Sequence, residues 1–164
     1  MTDQIRLQIK TENGTTELAA AFACVVEPSD IVLLSGDLGA GKSFFARQLV
    51  RILAGDEHMD VPSPTFSLVQ PYQLANMSCL HADLYRLSDE SEAEELGLFD
   101  DNNLLLIEWP DRLPELAQKA RFALDIKNVP NAAEERLVVI GAKQQDLKML
   151  AAELESSSDI VLLS

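Results

Sequence analysis

The sequence predicts an α/β fold: a mixed central sheet flanked by helices, in three layers. Three observations predict it. Ile31-Val32-Leu33-Leu34-Ser35 and Leu104-Leu105-Leu106-Ile107-Glu108 are continuous apolar runs closed by a polar residue, the pattern of central strands covered on both faces. A glycine-rich turn joins the first run to a segment of helical periodicity. Elsewhere, shorter candidate strands are separated by brief turns, which places antiparallel hairpins beside the parallel core.

The elements follow in order. Ile5, Leu7 and Ile9 alternate with Arg6, Gln8 and Lys10, a half-buried strand. Asn13-Gly14 predicts a turn, with Thr15 or Thr16 capping an Ala-rich helix from Leu18 to about Val26 that Pro28 and Ser29 end. After the strand at 31–35 and its loop, a helix spans about Lys42 to Leu53. Phe45, Leu49, Ile52 and Leu53 share one face of it, and Arg47 and Arg51 share another. Gly55 stops this helix, and residues 55–64 read as a mobile loop. Residues 66–83 read as an antiparallel hairpin, with Pro71 favouring an edge or an early end to pairing and Asp83 near the end of the return strand. Seven acidic residues between Asp89 and Asp101 surround a short helix with one apolar edge. That stretch is either a solvated face or a docking surface for a basic partner. Pro114 opens a short helix to about Lys119. Phe122–Asn128 and Arg136–Ile140 form two strands around a turn at Pro130-Asn131, and a last helix covers about Gln144 to Glu153. Residues 1–155 are expected to make one domain. Residues 156–164 are expected to be a tail whose apolar Ile160-Val161-Leu162-Leu163 packs or frays.

Bulk properties narrow the function. With 13 basic against 27 acidic residues, the net charge is −14, which opposes unaided binding to nucleic acid or to an anionic membrane. No apolar run reaches the length of a membrane span, and the N-terminus lacks a secretory signal pattern, so a cytoplasmic protein is expected. Cys24 and Cys79 have no metal-site spacing and are expected to be reduced, buried thiols.

Gly36-Asp37-Leu38-Gly39-Ala40-Gly41-Lys42-Ser43 matches the P-loop pattern G-x-x-x-x-G-K-[ST] in its required strand–turn–helix context, so the expected fold is P-loop NTPase-like. The glycines let successive N–H groups turn inward onto a phosphate chain, Lys42 reaches the outer phosphates, and the Ser43 hydroxyl can ligate Mg²⁺. The helix N-terminus adds its dipole to the anion site. Such a site needs a further acid for the metal and a group that orients the nucleophile. Asp83 and Glu108 each close a strand, and either suits the metal. Asp83 is assigned to Mg²⁺, and Glu108 to water activation or a supporting metal role. Thr65, after a proline-rich loop, is placed as a switch threonine sensing Mg²⁺ or the terminal phosphate, or as a plain turn residue. His81 reads as a satisfied strand histidine rather than a catalyst. Trp109 reads as packing, or as a stacking partner for a base or another protein. Arg86 pairs with phosphate or with the acidic segment.

Gly36–Ser43, Ser63-Pro64-Thr65-Phe66, His81-Ala82-Asp83-Leu84-Tyr85-Arg86 and Ile107-Glu108-Trp109-Pro110 together resemble the bacterial TsaE (YjeE) ATPases, in the order and spacing of that family. The resemblance is close over about 25 to 110. It implies a small ATPase in threonylcarbamoyl-adenosine formation on transfer RNA that binds a TsaB–TsaD heterodimer and does not itself transfer the group. It implies ATP/ADP and Mg²⁺ at Lys42 and Ser43, Thr65 in a switch-like loop, Asp83 at the metal and Glu108 in hydrolysis. The partners would then handle the transfer RNA. A small-molecule P-loop kinase would bring an Arg-rich lid, whereas the seven arginines here are dispersed. A GTPase would bring an N-K-x-D motif, which this sequence lacks. A non-hydrolysing, nucleotide-dependent adaptor stays open.

Overall fold

The computed structural model describes residues 2–163. Among them, eight strands form one sheet in the order β3-β4-β5-β2-β6-β7-β1-β8. The strands are β1 (Asp3–Ile9), β2 (Ile31–Ser35), β3 (Val69–Gln73), β4 (Ser78–Asp83), β5 (Asn103–Glu108), β6 (Phe122–Val129), β7 (Ala132–Ala142) and β8 (Ile160–Leu163). The central β4, β5, β2 and β6 run parallel, and the remaining neighbours pair antiparallel. Helices α1 (Glu12–Val25), α2 (Lys42–Ala54) and α5 (Gln144–Leu154) cover one face, and the short α3 (Glu90–Glu95) and α4 (Pro114–Lys119) cover the other.

Alternation along the two apolar strands explains the three layers. Val32, Leu34, Leu104 and Leu106 enter the core under α1, α2 and α5, where Phe22 stacks edge-on against both Phe45 and Phe122. Ile31, Leu33, Leu105 and Ile107 enter the second core with Leu113 and Leu116. Successive strand side chains point to opposite faces, so a strand with a helix layer on each side must be apolar throughout. Pro71 lies in β3, an outer strand, where its missing N–H breaks no ladder.

Three expectations need correction. Asn13-Gly14 is the first turn of α1 rather than a separate turn. Thr11 is the N-cap, and its side chain accepts from the Gly14 N–H. Gly14 is required by close approach, since a Cβ there would stand 2.7 Å from the Ile9 Cγ2. Residues 160–163 are β8, paired antiparallel with β1 from Arg6↔Leu163 to Ile9↔Ile160, so the tail joins the sheet. Cys24 is exposed, because it falls on the outer side of α1, whereas Cys79 is buried. The loop at 55–64 is tied to α2, with Arg51 donating to the Met59 carbonyl at 2.9 Å and Arg47 to that of Val61 at 3.3 Å.

Candidate functional site

The site is built at the carboxyl ends of β2, β4 and β5. Asp83 and Glu108 are register partners on β4 and β5, and Leu34 of β2 lies level with Glu108. Both carboxylates project from the face that carries α2. Asp83 follows Cys79 and His81 at two-residue steps, as Glu108 follows Leu104 and Leu106. The N-terminus of α2 comes to the same place, because its loop starts where β2 ends.

The loop is strained in the way its glycines allow. Gly36, Gly39 and Gly41 have φ of +140°, +78° and +112°. At Gly36 a Cβ would stand 2.3 Å from the Ile126 carbonyl oxygen, so β6 admits only hydrogen there. The Ala40 N–H returns to the Asp37 carbonyl at 3.1 Å, leaving Asp37, Leu38 and Gly39 as an exposed tip. Lys42 is buried. Its ammonium donates to the carbonyls of Gly36 (2.6 Å) and Asp37 (3.0 Å) and sits 4.5 Å from the centre of the Trp109 ring. The ammonium is therefore held within its own loop by carbonyl dipoles and an indole face.

Ser43 donates its hydroxyl to the Glu108 carboxylate, 2.9 Å from Oε1 and 3.2 Å from Oε2. Glu108 is 2% exposed and also lies 2.7 Å from the Nε2 of His81, itself 1% exposed. Asp83 accepts from the Tyr85 N–H at 3.0 Å, which orients one oxygen, while the other lies 3.5 Å from the Thr65 hydroxyl. The predicted residues 36–43, Thr65, Asp83 and Glu108 thus lie around one position, linked by contacts from Thr65 to Asp83 and from Ser43 to Glu108. Trp109 takes φ +59°, a left-handed conformation that costs a bulky residue about 1–3 kcal/mol. Packing against Tyr85, with ring centres 5.0 Å apart, and over Lys42 holds it there.

Three features escaped the sequence reading. His81, read as a satisfied strand histidine, is a direct partner of Glu108 through Nε2. Arg136, from β7, braces the loop by donating to the Ala40 carbonyl at 2.7 Å. A cavity of about 240 Å³ opens beside Gly39–Gly41, lined by Glu12, Thr15, Phe44 and Arg136 among others. No local pattern announces any of these, since each joins segments far apart in sequence.

Among the described residues no three His, Cys, Asp or Glu side chains converge as a closed metal cage. The donors present, from Ser43, Thr65, Asp83 and Glu108, are hydroxyl and carboxylate oxygens. That set fits Mg²⁺, which takes one or two carboxylates and completes its shell with water and phosphate oxygens.

The family model for TsaE, threonylcarbamoyl adenosine biosynthesis protein, matches residues 9–138. The chain belongs to the TsaE family. It is 39% identical over 125 residues to the Rickettsia conorii tRNA threonylcarbamoyladenosine biosynthesis protein TsaE, covering 75% of this chain and 71% of that one. To the Bacillus subtilis protein of the same name it is 30% identical over 160 residues, covering 96% and 98%. The crystal structure of Bacillus subtilis YdiB superposes with a TM-score of 0.71 at 26% identity, covering 94% of this chain and 95% of that one. The TsaE match thus bears out the resemblance read from the four motifs, and the superposition bears out the α/β P-loop-type architecture. The family serves tRNA threonylcarbamoyladenosine biosynthesis. Among the described residues, no helix is long and apolar enough to cross a membrane.

Proposed function

We propose that this chain is a Mg²⁺-dependent ATP hydrolase, a subunit that supports threonylcarbamoyladenosine formation together with a TsaB–TsaD heterodimer and does not transfer the group itself. The observation that carries this reading is the junction of Ser43 with Glu108. It joins the end of a phosphate-binding loop to a buried strand-end carboxylate that has Asp83 as its register partner. A phosphate-binding loop alone accounts for binding; the two carboxylates account for turnover.

Each residue then has a duty. The N–H groups from Asp37 to Ser43 and the α2 N-terminus receive phosphate oxygens. Lys42, already inside the loop, contributes the point charge. Ser43, with Asp83 and Glu108, would hold Mg²⁺, which when bound neutralises charge on the phosphate oxygens. Glu108 orients the attacking water and accepts its proton. Thr65, near Asp83, links the site to the loop before it. The cavity beside Gly39–Gly41 would seat the base and ribose, with Arg136 bracing the wall. The charge of −14 leaves contact with transfer RNA to the partners, and a cytoplasmic location agrees with that duty.

Co-purification of the chain with TsaB–TsaD, without nucleotide and with ADP or ATP and Mg²⁺, tests the partnership. Hydrolysis is expected to be weak alone and to change on adding the heterodimer. Failure to bind either nucleotide overturns the reading. A Glu108→Gln variant that binds ATP and still sustains modification would instead identify a nucleotide-dependent adaptor.

A further inference from the structure

His81 is the buried titratable group for which the reading above has no use. Its ring is 1% exposed, lies two residues before Asp83 on the same face of β4, and touches Glu108 through Nε2 at 2.7 Å. Its Nδ1 is buried without a hydrogen-bond partner among the described residues. Buried imidazoles that merely fill space usually satisfy both nitrogens, so an orphaned nitrogen calls for a reason.

We propose that His81 is a positioning residue for Glu108: its Nε2–H holds the carboxylate in the orientation that serves hydrolysis. The inference rests on the reading of Glu108 as the group that handles the water. The geometry supplies the argument. An ionised carboxylate only accepts hydrogen bonds, so the Nε2 facing it carries the proton. Glu108 has two side-chain donors, Ser43 and His81. The Ser43 hydroxyl rotates freely about its own bond and is the donor that a metal ion would divert. The His81 ring is packed in the strand and cannot follow. When Ser43 turns away, the Nε2–H is what keeps the Glu108 carboxylate from swinging. The unpartnered Nδ1 fits this role, since only one ring nitrogen is needed.

The test uses the full chain with ATP and Mg²⁺, with and without the TsaB–TsaD heterodimer, in His81→Leu, His81→Asn and His81→Gln. Gln can place an N–H near the position of Nε2, whereas Asn falls short and Leu has no donor. With Leu or Asn, kcat is expected to fall at least about tenfold while KM stays within about threefold, the signature of a misplaced catalytic group. Gln is expected to restore most of the rate. Equal rates for Asn and Gln overturn the proposal, as does a parallel loss of nucleotide binding, and this pair decides alone if the Leu variant does not fold. A second readout needs no turnover: ¹⁵N NMR of the imidazole is expected to show the Nε2–H tautomer, with a slowly exchanging proton that speeds up in Glu108→Ala. The Nδ1–H tautomer in the wild type overturns the proposal. If Glu108→Gln hydrolyses at the wild-type rate, the reading of Glu108 fails. If Glu108→Gln is dead and His81→Leu or His81→Asn is normal, only the positioning role fails.

Discussion

Two polar clusters sit at opposite ends of β2, one partly buried and one buried, and they are built on different principles. At the amino end, Arg121 is held by Asp30 at 2.7 Å, by Asp146 at 2.9 Å and by the Val25 carbonyl at 2.9 Å, tying together α1, α5 and the starts of β2 and β6. Burial works against the charge on Arg121, but the hydrogen bonds it donates to Asp146 and Asp30 outweigh it and raise its pKa above the usual arginine value. At the carboxyl end, Asp83 and Glu108 stand side by side and, among the described residues, no Lys or Arg forms an ion pair with either. The Lys42 ammonium is turned to loop carbonyls instead. One end shares a guanidinium between its carboxylates and holds the helices to the sheet. The other keeps its negative charge poorly compensated, an arrangement that suits a divalent cation at the cost of local stability.

If that contrast is right, the two ends respond oppositely to mutation. The largest effect is expected from Glu108→Gln, which keeps the shape and an acceptor for Ser43 and His81. Hydrolysis should fall by about 10³, or about 4 kcal/mol of barrier, with the unfolding free energy changed by under about 1 kcal/mol. Single-turnover kinetics and urea titration on the same preparation measure both. Arg121→Ala should do the reverse, costing about 3 kcal/mol of stability by stranding Asp30 and Asp146, with nucleotide affinity retained in the fraction that stays folded. A large loss of affinity there would break the separation of the two ends.

Smaller effects sharpen the picture. Gly36→Ala must push against the Ile126 carbonyl and adopt φ +140°, so it should cost about 2 kcal/mol of stability and weaken nucleotide binding together, measured by thermal unfolding with and without ADP. The last effect shows only at alkaline pH and comes from β4. Burial pushes the Cys79 thiol up to about 12, from an ordinary value of 9.0. The folded state therefore holds this proton over a range where the unfolded chain has lost it. The contribution of Cys79 is full below pH 9 and is lost between pH 9 and about 12, by at most about 1.4 kcal/mol per pH unit. Cys79→Ala should flatten that part of the alkaline stability curve relative to the wild type. A thiol reagent at pH 8 should modify exposed Cys24 while Cys79 stays protected until the chain unfolds.

The loop and the two apolar strands were legible because their information is local. A P-loop needs glycines, Lys42 and Ser43 at fixed spacing, and a doubly covered strand needs an unbroken apolar run. Asp83 and Glu108 were legible as strand ends, and parallel strands bring their carboxyl ends together. The start of α1 was misplaced because Asn-Gly is a strong turn signal, yet here the packing of Gly14 against β1 overrides it. The role of β8 was missed because four apolar residues after a serine run do not say which edge they will join.

The contacts that finish the molecule span long stretches of chain. Ser43 meets Glu108 across 65 residues, His81 meets it across 27, and Arg136 reaches the loop across 96. Residue identity was enough to expect phosphate at 36–43 and to place two carboxylates at strand ends. Which donors hold Glu108, what braces the loop and where the cavity opens depended on strand order and register. Those are set by the burial of both sheet faces over the whole chain, and no single segment encodes them.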